Sequence, residues 1–87
     1  MWIILDGNGQ INKIYGKQIV ITGTLSKPRR MVAAEIYQKG GILKGAVTAG
    51  TDYLVIGERF GNVKVSAAFK HGTFTVTEAE FNELMQE

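Results

Sequence analysis

The residues best suited to chemistry in this chain are suited to binding an anion. An apolar run over residues 16–23 ends in Thr22-Gly23, and Arg29 and Arg30 follow shortly after it. A strand that stops at a Thr-Gly turn and leads into a helix brings together a hydroxyl, an accessible glycine amide and the unpaired N–H groups of the helix. Arginine adds bidentate contacts to phosphate. The sequence therefore predicts a phosphate site at this turn.

A second cation is predicted to face the same place. Lys64 lies in the first turn of a predicted second helix, where, as at Arg29 and Arg30, positive charge opposes the helix dipole. Helices that follow the strands of a parallel sheet begin on the same sheet edge. We interpret the unfavourable placement of these cations as a sign that a bound anion offsets their repulsion from the helix dipoles. A purely structural role for Thr22-Gly23 stays open at this point.

Signatures of catalysis are missing from the sequence. The chain has no cysteine, which excludes disulfides, thiolate zinc sites and a cysteine nucleophile. It has neither a Walker loop nor a Gly-x-Gly-x-x-Gly fingerprint on a strand-to-helix turn. His71, the single histidine, precedes a glycine and is interpreted as a cation at a helix C-terminus. We predict a module without catalytic residues, metal or cofactor.

Size and charge favour one small intracellular domain. The 87 residues suffice for a single modest core, and 45% of them are hydrophobic. Residues 1–77 carry ten basic and four acidic side chains, so one face is expected to be basic. The lack of cysteine predicts a reducing, intracellular location, and the lack of any membrane-length apolar run predicts a soluble chain. The small surplus of apolar residues favours a monomer.

Apolar periodicity predicts alternating strands and helices. Strands are expected at 19–22, 42–44, 53–56 and 73–76, and helices at 28–39 and 63–71. Thr77 and Glu80 form a capping-box pattern that begins a third helix. This order predicts a mostly parallel sheet with helices on both faces. The positions expected in the core include Tyr37, Tyr53, Phe69, Phe74, Phe81, Leu84 and Met85, with Phe60 more exposed.

The first fifteen residues are predicted to form an extension. Two apolar-rich pieces, at 2–5 and 10–15, flank the turn signal Asp6-Gly7-Asn8-Gly9, which favours a short hairpin or an added strand. A linker is the alternative. We therefore divide the chain into an extension at 1–15 and a domain at 16–87. Whether the chain is free-standing or part of a larger protein is left open.

Three motifs in a fixed order resemble the BRCT domain. They are Gly16-Lys17-x-Ile19-Val20-Ile21-Thr22-Gly23-Thr24-Leu25, then Gly40-Gly41, then Val47-Thr48-x-x-Thr51-Asp52-Tyr53-Leu54-Val55-x-Gly57-Glu58. The chain is most similar to the subgroup found in bacterial NAD-dependent DNA ligases and in the large subunit of replication factor C. The resemblance implies a four-stranded parallel sheet of order 2-1-3-4, with the first and third helices on one face and the second on the other.

The resemblance also implies a site for the 5′-terminal phosphate of duplex DNA. Its residues correspond to Thr22, Gly23, Arg29 and Lys64 in this chain. Counting from Gly23 selects Arg30 in place of Arg29, whereas counting from Gly40-Gly41 selects Arg29, so both are kept. Secondary contacts to the DNA backbone are expected from Lys17, Lys27 and Lys44.

Departures from the family pattern leave this chain with fewer basic side chains than its relatives. They also disfavour a phosphoserine peptide as its ligand. Ala49-Gly50 and Ala67 stand where relatives carry lysines, and Ala68 stands where phosphoserine-reading members carry one. The adenylated Lys-x-Asp-Gly motif of ligases is missing as well. We expect a non-catalytic BRCT module that binds 5′-phosphorylated DNA ends or nicks, within or alongside a ligase or clamp-loader-like factor in replication or repair. The alternative is a protein-docking module of such a complex. Either role implies a cytoplasmic, nucleoid-associated location in a bacterial or phage-infected cell, or a nuclear location in a eukaryote.

Overall fold

The fold is a parallel sheet whose strands alternate with helices. The computed structural model describes residues 13–86. Its elements are, in order, β1 (Gln18–Thr22), α1 (Arg29–Gln38), β2 (Ile42–Lys44), β3 (Tyr53–Ile56), α2 (Asn62–His71), β4 (Phe74–Thr77) and α3 (Glu78–Gln86). The strand order is β2-β1-β3-β4, and all three strand pairs are parallel. The predicted element order and sheet topology are confirmed.

Both faces of the sheet are covered, which explains the continuous apolar run in β1. Ile19 and Ile21 pack on one face in a cluster to which α1 contributes Ile36 and α3 contributes Phe81. Val20 faces the other way and packs with Ala68 of α2. Because successive side chains of a strand point to opposite faces, a strand covered on both sides needs apolar residues at every position.

The strand register defines which residues share the carboxyl edge of the sheet. In the parallel register, Thr22 of β1 is paired with Ile56 of β3, and Ile56 is paired with Thr77 of β4. β2 ends at Lys44, which is level with Val20. The helices that follow β1, β3 and β4 therefore all begin at this edge. Lys17, which precedes β1, lies at the opposite edge.

Three aromatic residues predicted for the core are instead exposed. The exposed fractions are 82% for Tyr37, 91% for Phe69 and 73% for Phe74. Each helix buries a narrow stripe, centred on Ile36 in α1 and Ala68 in α2, so the next residue turns about 100° toward solvent. Phe74 begins the edge strand β4, where it is level with Tyr53 and its side chain is left largely uncovered. The prediction was wrong at these three positions.

The core begins ahead of β1. Ile14 is completely buried and packs in the cluster shared with α1 and α3. The Lys17 N–H donates to the Ile14 carbonyl at 2.9 Å, so the chain turns here before it enters β1. The expected hairpin at 1–15 falls mainly on residues 1–12, which lie outside the described part. Across residues 13–86, no helix has the length and apolar character needed to cross a membrane.

Candidate phosphate site at the carboxyl edge of the sheet

Gly23 holds the exit of β1 against the exit of β3. It has a φ of +82°, and a Cβ there would lie 2.6 Å from the carbonyl oxygen of Glu58. The next residue, Thr24, exchanges two backbone hydrogen bonds with Glu58, at 2.8 and 2.9 Å. A side chain at Gly23 would therefore push these loops apart. The structural reason for glycine applies at this position whether or not a ligand binds.

The same turn leaves two donors unused. Within residues 13–86, neither the backbone N–H of Gly23 nor the hydroxyl of Thr22 has a hydrogen-bond partner. The Thr22 side chain is buried, with only 5% of its surface exposed. Thr22 shares the face of Val20, two residues earlier, which is the face that α2 covers. Both donors lie at the carboxyl edge.

Lys64 reaches this edge from α2. Since β2 ends level with Val20, the carbonyl of Ile21 extends beyond the reach of β2. The Lys64 ammonium donates to this carbonyl at 3.1 Å. That oxygen belongs to the residue directly before Thr22. The predicted proximity of Lys64 and the end of β1 is therefore present in the structure, and two of the three ammonium hydrogens remain available.

Arg29 and Gly23 line one cavity. The cavity measures about 480 Å³ and is bounded by Ile21 and the loop between β1 and α1. Arg30 is exposed on the next position of α1 and is absent from this lining. Of the two arginines left open by the sequence, Arg29 is the one that lines the same cavity as Gly23.

Neither of the two helix N-termini at this site has a side-chain partner for its dipole among residues 13–86. Pro28 and Gly61 precede α1 and α2, and neither helix has a side-chain cap or an acidic residue in its first turn. The first turn of α3, in contrast, contains Glu78 and Glu80. Its predicted capping box is confirmed by bonds of 2.8 and 3.1 Å between Thr77 and Glu80. Positive potential is therefore concentrated at α1 and α2.

The three secondary lysines lie in different surroundings. Lys44 is exposed at the end of β2, on the same edge as Thr22. Lys27 lines the same cavity as Gly23 and is paired with Glu35 at 2.8 Å, which compensates part of its charge. Lys17 lies at the other end of β1, about 16 Å away at about 3.3 Å per strand residue. The structure therefore places Lys44 and Lys27, but not Lys17, at the carboxyl edge of the sheet.

Sequence reasoning missed an acidic residue that holds the loop. The Glu78 carboxylate accepts hydrogen bonds from the Ser26 amide, at 3.0 and 3.1 Å, and from the Ser26 hydroxyl at 2.6 Å. Together with Glu58 it borders a second cavity, of about 430 Å³, beside the first. The available signal was that α3 begins with two acids although a capping box needs only one.

Two other site types find no support in the described part of the chain. No three His, Cys, Asp or Glu residues among 13–86 are grouped so that they could hold a metal ion. Ala68, the position aligned with a phosphoserine-reading lysine, is completely buried against the sheet with Val20 and Leu54. The edge described above, formed by Thr22, Gly23, Arg29 and Lys64, is therefore the candidate site, and we refer to it as the Thr22 edge.

The sequence of the chain is similar to segments of bacterial DNA ligases. It is 45% identical over 74 residues to a DNA ligase of Campylobacter jejuni subsp. jejuni, covering 85% of this chain and 11% of the ligase. It is 42% identical over 85 residues to a DNA ligase of Helicobacter acinonychis, covering 97% of this chain and 13% of that protein. A DNA ligase of Aquifex aeolicus matches at 44% over 73 residues, 83% of this chain and 10% of the ligase. The chain spans about a tenth of these relatives.

Solved structures and a family model agree on the fold. The structure of Rad4 BRCT1,2 in complex with a Mdb1 phosphopeptide superposes with a TM-score of 0.74 at 16% identity, over 91% of this chain and 43% of that one. The C-terminal BRCT domain of human XRCC1 superposes with a TM-score of 0.62 at 14% identity, over 83% of this chain and 80% of that domain's chain. The model of the BRCA1 C Terminus (BRCT) domain matches residues 10–85. The chain belongs to the BRCT domain family.

Proposed function

We propose that this BRCT domain binds DNA at 5′-phosphorylated ends or nicks through the Thr22 edge. It acts as a non-catalytic part of a DNA ligase, or alongside a ligase or clamp-loader-like factor, in replication or repair. The observation that carries the proposal is the 3.1 Å bond from Lys64 to the carbonyl of Ile21, which holds a cation next to two unused donors. The similarity to segments of bacterial DNA ligases supports a role close to DNA ends.

A terminal phosphate matches the donors available at the Thr22 edge. The Gly23 amide and the Thr22 hydroxyl supply neutral donors, and Lys64 supplies a charged one. A phosphate monoester carries nearly two negative charges at neutral pH, so it benefits most from two helix N-termini that no acid neutralises. Arg29 lines the same cavity as Gly23 and can add a bidentate contact. An internal phosphodiester carries one charge and gains less.

Further cations contribute affinity without reading base sequence. Arg30 and Lys44 are exposed and can contact neighbouring backbone phosphates, whereas Lys27 must first leave Glu35. Contacts of this kind depend on salt concentration and carry no sequence information. We therefore propose a domain that recognises the end of a duplex without preference for its sequence. Its site of action is the cytoplasm, close to the nucleoid.

A titration with matched duplexes tests this proposal. We expect tighter binding to a nicked duplex with a 5′-phosphate than to the same duplex with a 5′-hydroxyl. Lys64→Ala should abolish most of that difference, a loss of about tenfold or more for a charged hydrogen bond. Lys70→Ala is the matched control, because Lys70 lies in the last turn of the same helix. Equal affinity of the unmodified domain for both duplexes would contradict the proposal.

A second candidate function is docking to another protein of a repair or replication complex. It is favoured by the exposed aromatic side chains of Phe69 and Phe74, and by the two acids beside the Thr22 edge. A chemical-shift footprint on Phe69 or Phe74, with no change at Gly23 or Lys64, would select docking over DNA. The Rad4 structure in complex with a phosphopeptide shares the fold of this chain at 16% identity, and this similarity does not extend to the ligand.

A further inference from the structure

An exposed aromatic ring lies in the loop that adjoins the Thr22 edge. The loop connects β3 to α2, and Phe60 is its only aromatic residue. The first residue of the loop, Gly57, donates its N–H to the Thr22 carbonyl at 2.8 Å. Just beyond the loop, the Lys64 ammonium holds the first turn of α2 to the Ile21 carbonyl at 3.1 Å. Phe60 is therefore held between two attachments to the end of β1.

The backbone of this loop has a fixed conformation. Glu58 exchanges two hydrogen bonds with Thr24, at 2.8 and 2.9 Å. Arg59 follows with a φ of +56°, the only positive φ of a non-glycine residue among residues 13–86. A residue with a side chain is uncommon in this region and stays there only when the surrounding contacts impose it. The loop therefore presents the Phe60 ring without having to become ordered first.

Local packing accounts for only part of the Phe60 ring. Phe60 precedes Gly61, the N-cap residue of α2, and an apolar residue at this position often packs on the fourth residue of the helix, here the half-buried Val65. Even so, 46% of Phe60 is exposed. A Cβ added at the neighbouring Gly61 would meet no atom within 4 Å, so the space next to the ring is open within the described part of the chain. The ring can therefore receive a flat partner.

We propose that Phe60 stacks on the terminal base pair of a duplex whose 5′-phosphate is bound at the Thr22 edge, so that the preferred ligand is an open duplex end and not a nick. This inference rests on the proposed function. Stacking on an aromatic side chain tolerates every base, which agrees with binding that does not read sequence. Arg59, which is exposed, and Lys64 supply positive charge on either side of the ring in the sequence. At a nick, the base pair beside the 5′-phosphate is covered by the next pair and offers no free face.

Two matched DNA substrates test the proposal with the full chain. One is a hairpin with a single open, 5′-phosphorylated blunt end, and the other is a dumbbell, closed at both ends, with a single 5′-phosphorylated nick. We expect binding to the hairpin to be tighter by about fivefold or more, as for a base stacked on an aromatic ring. Phe60→Leu keeps an apolar side chain for packing on α2 but removes the ring, and it should abolish this preference. Phe69→Leu is the matched control, because Phe69 is an exposed aromatic residue in the last turn of α2, and it should leave the preference unchanged.

A third substrate tests the stacking contact without changing the protein. It is the same hairpin with its 5′-phosphate retained and both terminal nucleotides made abasic. We expect the unmodified chain to bind it about fivefold or more weakly than the intact hairpin, and Phe60→Leu to bind the two almost equally. Equal binding of the intact and abasic ends by the unmodified chain would overturn the inference, as would equal binding of hairpin and dumbbell, or a preference that Phe60→Leu retains.

Failure of this inference can be distinguished from failure of the proposed function. The proposed function is tested by the difference between 5′-phosphate and 5′-hydroxyl ends, which Phe60→Leu should leave in place because the Thr22 edge is unchanged. If that difference is present but the stacking substrates bind equally, only the inference is overturned. If the unmodified chain binds 5′-phosphate and 5′-hydroxyl ends equally, the proposed function is overturned and the inference with it.

Discussion

Lys64 donates a hydrogen bond from its ammonium to the main-chain carbonyl of Ile21 at 3.1 Å, although the two residues lie 43 positions apart in the sequence. The bond joins the first turn of α2 to the end of β1. It compensates for the short strand β2, which ends before it can pair with this carbonyl. The same side chain thus serves the fold and provides the cation of the candidate phosphate site.

Removing the Lys64 ammonium should reduce stability as well as ligand binding. In Lys64→Ala the Ile21 carbonyl loses its donor, and we expect the free energy of unfolding to fall by about 1 kcal/mol because the group is only partly buried. Urea denaturation measures this change. Lys70→Ala should change stability by less than half as much, and an equal loss in both variants would argue against the structural role.

Gly23→Ala should be strongly destabilising. The new Cβ would lie 2.6 Å from the Glu58 carbonyl oxygen, in a backbone conformation with φ of +82° that alanine disfavours. We expect a loss of about 2–4 kcal/mol, in the range of other strained or overpacked substitutions. Gly45→Ala serves as control, because nothing lies within 4 Å of a Cβ at that position. Thermal unfolding of both variants decides the point.

Glu78→Ala should loosen the loop between β1 and α1. Ser26 would lose the carboxylate that accepts from both its amide and its hydroxyl. We expect faster hydrogen exchange at the Ser26 amide and a stability loss of about 0.5–1.5 kcal/mol. Glu83→Ala, an exposed acid further along α3, should leave that exchange rate unchanged. Unchanged exchange in Glu78→Ala would show that the loop is held by other contacts.

Binding to phosphorylated duplex should weaken steadily with salt. If about four phosphates are neutralised, log K should fall against log salt with a slope of about −3 to −4. Lys44→Ala removes one exposed cation at the Thr22 edge and should make the slope less steep by about 1. Lys17→Ala, at the opposite edge, should have a smaller effect. A slope near zero would exclude backbone phosphate contacts.

The sequence predicts those features that rest on local patterns. The β-branched run in β1 and the capping box at Thr77 both appear as expected, because each is a property of adjacent residues. The exposure of Phe69 was not predictable in this way, since it depends on how narrow a stripe of α2 the sheet covers. The contacts of Lys27 with Glu35 and of Ser26 with Glu78 likewise depend on how the loop after β1 packs in three dimensions.

The most direct test of the central claim is the change in the backbone amide spectrum of the domain during titration with 5′-phosphorylated nicked duplex. We predict that the Gly23 amide and the amides around Lys64 shift with the phosphorylated duplex, and that the 5′-hydroxyl duplex moves Gly23 much less. Identical shifts with both duplexes, or shifts confined to residues remote from the Thr22 edge, would contradict the account.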